Sequence, residues 1–419
     1  MVCNLLVLLL IGAASLPGTV HSATSDNVKA LYTNIFTTNS YNKRVRPSLD
    51  LSTPTNLYVD LDLVAISDIS EVQEKMTTTA SLFIMWTDEY LKWNPSDYND
   101  TMTIYLPQDI IWKPDIALEN GFSKLVELGD NFILTTVSFD GSVIWRPFEV
   151  FDTKCSINIK YFPFDQQTCS LKFGVWTNPL SDITIAVGSN GVILQEYQSN
   201  GEWDIVKTSS EASVSSQFGA LVTYTITVQR KPQYILLNVV LPILLLSILS
   251  VFVFALPIES GEKMGYVMTV YLAFAVFLTI VSASLPESSS MSLLSMYLVI
   301  LVLMGTAIVI ITTLELRLHY RDSSHEISKV FRYMIRSSKI LQCKKSHKKV
   351  DDSSKIEVLP KETSEMPPAE SVVDPEKTEE VTWPDVTSAI DFFCFWFFLI
   401  ATIVITIGLF ASGYINGAN

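Results

Sequence analysis

The chain has 419 residues and a formal net charge of -14 at pH 7, and hydrophobic residues make up 48% of it. This length is enough for two or three domains. The negative charge argues against nucleic acid as a partner, and the mean hydropathy of +0.32 is high for a soluble protein. Because the hydrophobic residues are concentrated in separate segments, the sequence predicts distinct soluble and membrane-embedded parts.

Residues 1–22 contain an apolar run from Leu5 to Ala14, followed by small residues up to Ser22. This pattern is typical of a secretory signal peptide cleaved near Ser22, although no basic residue precedes the apolar run. A short signal anchor is the alternative, but the run is too short to span a bilayer. We therefore expect the segment that begins at residue 23 to lie outside the cell.

Residues 23–231 contain short runs in which apolar and polar residues alternate, as at 57–63 and 221–228. Turn sequences separate these runs. The pattern predicts an extracellular all-β sandwich of roughly two hundred residues, with a short helix near its start. A sequon at Asn99 predicts N-glycosylation of this domain.

Cys155 and Cys169 enclose thirteen residues that include F-P-F-D at 162–165. A disulfide between them would close a small ring, and only an oxidising compartment keeps such a bond. A proline between two aromatic residues is compatible with a cis peptide bond. The C-x13-C spacing together with F-P-F-D resembles the signature loop of the pentameric Cys-loop receptor channels. We therefore hypothesise one disulfide and an apolar loop tip that docks on a partner surface.

Four apolar stretches follow, at 234–256, 265–284, 292–314 and 392–410. Each is near the ~20 residues that cross the hydrocarbon core as a helix. With flanking residues they define membrane segments 232–314 and 390–412. Ten Lys or Arg residues lie within 317–349, so the positive-inside rule places the loop 315–389 in the cytosol. Four crossings then return the tail, 413–419, to the outside.

The cytosolic loop has two parts. Residues 323–338 place apolar side chains at helical spacing with basic residues opposite, which predicts an amphipathic helix on the inner leaflet. Packing of this helix on neighbouring subunits is the alternative. Residues 351–385 are rich in Pro, Ser, Glu and Lys, a composition typical of disordered segments.

The second apolar stretch is the least hydrophobic of the four. Steps of three and four residues define one helix face that is polar or small at its inner end and apolar in its middle. That face consists of Gly265, Thr269, Leu272, Val276, Thr279 or Ile280, and Ala283. We interpret it as pore-lining; a helix buried in a bundle is the alternative. Glu262 at the cytosolic mouth would form a carboxylate ring that attracts cations, and Leu272 and Val276 would form apolar rings that gate by dewetting.

Several further motifs are similar to those of nicotinic acetylcholine receptor subunits. They are W-T-D-x-Y-L-x-W-N-P at 86–95, W-K-P-D at 112–115, F-G-x-W-T at 173–177, N-G-E-W-D at 200–204 and G-E-K at 261–263. The resemblance covers nearly the whole chain after residue 22 except the cytosolic loop. It implies a homo- or hetero-pentamer at the plasma membrane, in contact with lipids and postsynaptic in location. It also implies a small-molecule agonist site between neighbouring extracellular domains and a central cation pore.

In that family the agonist's cation contacts an aromatic box. The matching positions here are Trp176, Glu119, Phe218, Arg146, Trp145 and Ser81. Trp176 stands where the family has its central tryptophan. Glu119 replaces the usual tyrosine, and Ser81 replaces the first tryptophan of the complementary loop. These departures argue against acetylcholine as the agonist of a pentamer of this chain alone. We expect Trp86, Trp93 and Trp112 to be core residues instead.

The resemblance also implies a set of residues that couple the two domains. They are Glu71, Val72, Phe162, Pro163, Phe164, Arg230 and Pro286. A buried Glu71–Arg230 pair is costly unless it is well hydrogen-bonded, so its use would be to set the register between domains. Pro286 follows the pore helix and would meet Phe162 and Phe164.

The four histidines are scattered, and the sequence contains neither a G-x-S-x-G motif nor a metal-ligand spacing. We therefore expect neither an enzyme nor a bound cofactor. The sequence predicts a subunit of a ligand-gated cation channel, with an all-β sandwich outside and a four-helix transmembrane bundle. The alternatives are an accessory subunit that binds no agonist and needs a partner subunit, and a non-conducting membrane-anchored recognition protein.

Overall fold

The computed structural model describes residues 24–215, 219–284, 291–322, 325–342 and 381–417. The predicted signal peptide at 1–22 lies outside these ranges. Most of the segment expected to be disordered, 351–380, lies outside them as well.

The β domain begins with the expected short helix, Ser25–Tyr32, whose N-cap Thr24 accepts a hydrogen bond from the backbone N–H of Asn27. Its strands are β1 (Thr55–Ser70), β2 (Lys75–Thr87), β3 (Thr103–Pro107), β4 (Ile116–Leu118), β5 (Leu134–Ser138), β6 (Ser142–Trp145), β7 (Phe148–Lys154), β8 (Gln166–Val175), β9 (Ile183–Ile193), β10 (Trp203–Ser215) and β11 (Gly219–Arg230). The two alternating runs noted above, 57–63 and 221–228, fall inside β1 and β11.

These strands form two sheets. The seven-stranded sheet has the order β3-β5-β6-β2-β1-β9, with β7 also paired to β2, and the four-stranded sheet has the order β10-β11-β8-β4. β1 and β9 are parallel, and β1 and β2 are antiparallel. Along β2 buried residues alternate with half-buried ones, so each sheet turns one apolar face toward the other. The two faces enclose one core, which confirms the predicted sandwich.

Tryptophans fill much of this core. Trp86, Trp93 and Trp112 are buried, as expected, and the rings of Trp86 and Trp112 meet edge to face with centroids 5.8 Å apart. Trp145 is also a core residue, only 1% exposed, and its Nε1 donates to Gln108 Oε1 at 2.7 Å. This burial argues against Trp145 as a ligand contact, because its side chain offers almost no surface on the single chain.

Four helices among the described residues are long and apolar enough to cross a membrane. They are the first apolar helix (Gln233–Ala255), the second (Lys263–Ser284), the third (Leu293–His319) and the fourth (Trp383–Gly417). The fourth has 35 residues, about 52 Å at the helical rise per residue. It therefore extends beyond the stretch 392–410 at both ends. Residues 383–385, expected to be disordered, are helical, and so are tail residues 413–417.

A separate basic helix, Lys329–Leu341, begins six residues later than the predicted amphipathic helix at 323. Its Ile335 is buried against Trp383, Val386 and Ala389 at the start of the fourth apolar helix of the same chain. Part of the apolar face assigned to the inner leaflet or to a neighbouring subunit is thus covered within the chain, whereas Val330 on that face is 66% exposed. The partner was not predicted because it lies far along the sequence, in a segment expected to be disordered.

Candidate functional site

A cleft of about 370 Å³ opens beside β4 and β8. It is lined by Leu118, Glu119, Asn120, Gly121, Ser123, Leu125, Lys172 and Trp176. Pairing of β4 with β8 creates it: the Glu119 N–H donates to the Lys172 carbonyl at 2.8 Å, and the Trp176 N–H donates to the Asp115 carbonyl at 3.1 Å. The fold therefore brings together two predicted ligand contacts, Glu119 and Trp176, that are far apart in sequence.

Two side chains of this cleft, Trp176 and Glu119, have properties that suit a cation, although Lys172 lines it as well. Trp176 is 47% exposed, unlike the core tryptophans. Glu119 Oε1 accepts a hydrogen bond from Ser215 Oγ at 3.3 Å. Glu119 Oε2 is buried without a hydrogen-bond partner in the part of the chain that the structure describes. A buried acceptor without a donor is unfavourable, and an N–H group of a cationic ligand could supply that donor.

The turn that carries Trp176 is held by Asp115, the last residue of the W-K-P-D motif. Asp115 Oδ2 accepts from the Thr177 N–H at 2.6 Å, and Oδ1 accepts from the Asn178 side-chain amide at 2.8 Å. Both carboxylate oxygens thus hold the two residues that follow the exposed indole. The motif therefore acts as a support for the cleft.

The other candidate ligand contacts lie elsewhere. Ser81 belongs to β2 and Arg146 follows β6, so both are on the seven-stranded sheet and neither lines the cleft. The Arg146 guanidinium lies 3.8 Å from the centroid of the Phe83 ring. Phe218 lies outside the described residues. The structure therefore does not bring Ser81 or Arg146 of this chain into the cleft with Trp176 and Glu119.

The predicted disulfide joins Cys155 and Cys169, whose Cα atoms are 5.2 Å apart. The Phe162–Pro163 bond in its loop is cis. Phe162 is buried among side chains of the apolar helices, including Ile243 and Leu294. The loop tip therefore docks on the helical domain of its own chain.

Phe164, next to the tip, packs on the fourth apolar helix. Its ring meets Phe410 and Tyr414 edge to face, with centroids 6.2 and 6.0 Å away. Pro286, the predicted partner of this loop, lies outside the described residues. The fourth helix as a partner of Phe164 was missed because nothing in the local pattern connects the loop with a helix more than two hundred residues later.

Arg230 forms a charged cluster at the same junction and is 6% exposed. It pairs with Glu71, as the sequence suggested, and its Nε also donates to Asp165 Oδ1 at 2.8 Å. Its guanidinium lies 4.2 Å from the Trp203 ring centroid and 4.8 Å from that of Phe162. Burial alone would lower the pKa of Arg230, but the two carboxylates raise it above its usual value. Arg230 therefore stays charged.

Asp165, the last residue of F-P-F-D, is the partner that sequence reasoning missed. It is buried and ties the disulfide loop to the end of β11. Val72, the neighbour of Glu71, is exposed on the single chain. The junction is therefore held by the arginine and two carboxylates, with Val72 outside this cluster.

The second apolar helix has one face exposed on the single chain. The exposed residues include Gly265, Thr269, Leu272, Val276, Thr279 and Ile280, which were predicted to line a pore; the side chain of Ala283 lies outside the described part. By contrast, Val267, Phe274 and Val281 are buried against the other helices. The predicted face is therefore directed away from the helices of its own chain.

Glu262 and Lys263, at the start of this helix, have opposite surroundings. Glu262 is exposed. Lys263 is buried, its Nζ lies 2.9 Å from Glu315 Oε2, and it also pairs with Asp391. Sequence reasoning did not identify this cluster, although an acidic residue near the end of an otherwise apolar stretch was a usable signal.

Two family models match the chain: the neurotransmitter-gated ion-channel ligand binding domain at residues 28–232, and the neurotransmitter-gated ion-channel transmembrane region at 239–380. The neuronal acetylcholine receptor subunit alpha-3 of Bos taurus is 32% identical over 324 residues, which cover 76% of this chain and 63% of that protein. Subunit alpha-6 of Mus musculus is 31% identical over 296 residues, with 69% and 60% covered. Subunit beta-3 of Homo sapiens is 32% identical over 352 residues, with 82% and 76% covered. The chain thus spans about three fifths of the length of the alpha-3 and alpha-6 relatives.

Proposed function

The chain belongs to the neurotransmitter-gated ion-channel family, and on that premise we propose that it is a subunit of a ligand-gated cation channel in the plasma membrane. Members of this family are ion channels and not enzymes. The observation that carries the proposal is the junction at Arg230, where a β domain with a ligand cleft is joined to four apolar helices through buried contacts. Such a junction can transmit a change at the cleft to the helices.

The proposed channel is a pentamer, formed by this chain alone or with related subunits. Two observations support it: the candidate ligand contacts form separate groups on the two sheets, and the second apolar helix leaves one face uncovered. In a ring of subunits the cleft with Trp176 faces the sheet with Arg146 of the next subunit. The uncovered helix faces then surround a central path.

The proposed agonist is a small cationic molecule held between Trp176 and Glu119. Several relatives are named acetylcholine receptor subunits. In this chain, however, Glu119 has a carboxylate and Ser81 has a hydroxyl at positions where the resemblance implies aromatic rings. Acetylcholine, a quaternary ammonium without an N–H, cannot donate to the buried oxygen of Glu119. We therefore expect a different agonist for a pentamer of this chain alone.

The proposed ion path follows the second apolar helix, with both chain termini and the Asn99 glycan outside the cell, at a postsynaptic membrane. Rings of Glu262 attract cations, and rings of Leu272 and Val276 close the path by excluding water. Glu262→Ala should reduce the Na⁺ over Cl⁻ permeability ratio, measured from reversal potentials in diluted NaCl. A wild-type channel that reverses at the chloride potential would contradict the cation assignment.

An accessory role is a second candidate, favoured by the same departures at Ser81 and Glu119. An accessory subunit binds no agonist itself but completes a pentamer with a partner subunit. Voltage clamp separates the two: current from the chain expressed alone supports an agonist-binding subunit, and current only on co-expression supports the accessory one. A surface protein that stays silent in every combination would favour a non-conducting recognition protein.

A further inference from the structure

We propose that Glu315 and Asp391 hold Lys263 away from the ion path, so that the adjacent Glu262 acts as an uncompensated negative charge at the inner mouth. This inference rests on the proposed channel function and adds two determinants of its charge selectivity. Glu315 and Asp391 act through the position of Lys263 and do not contact the permeating ion themselves.

The geometry joins the apolar helices of one chain around a single ammonium group. Lys263 is on the second helix, Glu315 on the third and Asp391 on the fourth, and their side chains are 2%, 0% and 15% exposed. Lys263 Nζ lies 2.9 Å from Glu315 Oε2. It also lies 5.8 Å from the Phe254 ring centroid of the first helix. The ammonium is therefore fixed on the side of the helix that faces its own bundle.

Glu262 is directed differently. Successive helical residues are about 100° apart around the axis. Its Oε2 lies 3.8 Å from the point that a Cβ on Gly265 would occupy, and Gly265 is on the exposed face proposed to line the pore. At the start of this helix the two opposite charges therefore point in different directions. The Glu262 carboxylate points toward the exposed face, and the Lys263 ammonium points toward the bundle.

This separation depends on the two acidic partners. A buried ammonium is stable only when it is paired and hydrogen-bonded, and lysine has a long flexible stem that can carry its charge to water. Without both carboxylates, Lys263 gains by turning toward the water-filled mouth one position from Glu262. There it would offset the negative charge of each subunit and weaken the attraction for cations.

Neutralising Glu315 alone should leave Lys263 paired. Glu315 Oε1 is buried and has no hydrogen-bond partner within the described ranges, so Glu315→Gln breaks no second hydrogen bond at that atom. After this change Lys263 still has Asp391 as a partner. The single variant should therefore fold, and the double variant with Asp391→Asn should release the lysine.

The test uses channels that carry Leu272→Ser, a change expected to produce current without an agonist. Reversal potentials in diluted NaCl would be measured for the added pair Glu315→Gln and Asp391→Asn. We expect the Na⁺ over Cl⁻ permeability ratio to fall roughly threefold or more, because a lysine then offsets the ring charge. Adding Lys263→Gln to this pair should restore the ratio. A merely structural role predicts no such rescue, because the further change removes yet another packed side chain.

Several outcomes would overturn the inference. An unchanged ratio in the double variant would do so, and so would a reduced ratio that Lys263→Gln does not restore. If the double variant fails to reach the surface, the single variant Glu315→Gln is the test instead. It should lower the permeability ratio by a smaller factor, and adding Lys263→Gln must restore the ratio. If surface channels with Leu272→Ser carry no current at all, the proposed channel function fails and this inference fails with it. Current with unaltered selectivity in the double variant overturns this inference alone.

Discussion

Glu119 and Trp176 show how single residues determine the chemistry of the ligand cleft. An exposed indole attracts any cation through its ring face, whereas a carboxylate oxygen requires a hydrogen-bond donor. The cleft therefore combines a contact that tolerates many cations with one that favours those carrying an N–H. In the proposed agonist site this combination would favour protonated amines, which carry an N–H, over quaternary ammonium compounds.

Glu119→Gln should lower the apparent affinity for a primary-amine agonist roughly tenfold or more, because a hydrogen bond to a charged group contributes roughly 1.5–3 kcal/mol. The measurement is the agonist concentration that gives half-maximal current. Glu127→Gln is the matched control, since the Glu127 side chain is 77% exposed and pairs with Lys113 at 2.8 Å. An equal shift of this concentration in both variants would show that Glu119 does not contact the agonist.

Arg230 is the residue whose loss should be most damaging at the junction. Arg230→Gln removes the cation that pairs with both Asp165 and Glu71. Breaking a buried ion pair in this way costs about 3–5 kcal/mol of stability. We expect a lower thermal midpoint of the purified protein and less protein at the cell surface.

The neighbouring residue supplies the control for this experiment. Lys231 pairs with Asp204 at 3.0 Å, but the two side chains are 30% and 64% exposed. An ion pair exposed to this extent contributes about 0–1 kcal/mol, so Lys231→Gln should behave like the wild type. If Arg230→Gln were also neutral, the buried cluster would have no structural role.

Among the elements, the contact between the disulfide loop and the fourth apolar helix joins the parts most distant in sequence. Close approach at this point requires a small residue on the helix. A Cβ on Gly413 would lie 3.0 Å from Leu293 Cδ2 and 3.2 Å from Phe164 Cδ2. The glycine thus allows the helix to approach both the loop and the third apolar helix.

Gly413→Leu should push the end of the fourth helix away from Phe164, and overpacking of this kind costs about 1–3 kcal/mol. We expect a lower thermal midpoint and altered closing of the channel, measured by fluorescence-detected unfolding and by the decay of current. Gly408→Leu is the matched control on the same helix, because a Cβ there meets nothing within 4 Å. Similar losses in both variants would indicate a general effect of leucine on this helix.

For the whole molecule, the position of the gate follows from how five copies would face one another. Leu272 lies in the middle of the exposed face of the second apolar helix and is 64% exposed on the single chain. Five such side chains would form the dry ring that closes the path. In the proposed pentamer the gate would therefore be a property of the assembly and not of one chain.

Leu272→Ser should admit water to the closed path and produce current without agonist, because dewetting depends on an apolar lining. Leu278→Ser is the control, since Leu278 is partly buried and packs against the other helices of its own chain. The measurement is resting current at equal surface expression. A silent Leu272→Ser together with a leaking Leu278→Ser would show that the assigned pore face is wrong.

Features that depend on local pattern could be predicted from the amino-acid sequence. The alternation at 57–63 predicts a strand with one buried face, and the length of the apolar stretches predicts membrane helices. The spacing of Cys155 and Cys169 around F-P-F-D resembles a family loop that implies their disulfide. Each of these patterns is complete within a few turns or strands of the chain. These features can therefore be predicted without knowing which distant residues are in contact.

Which distant groups are in contact depends on how the strands and helices pack. Residue type and periodicity do not distinguish the buried Trp145 from the exposed Trp176. Nor do they show that Glu262 is exposed while the adjacent Lys263 is buried. Their surroundings come from strands and helices that arrive from elsewhere in the chain, such as the third and fourth helices that carry Glu315 and Asp391. Periodicity shows which face of an element is covered, but the packing of the elements determines what covers it.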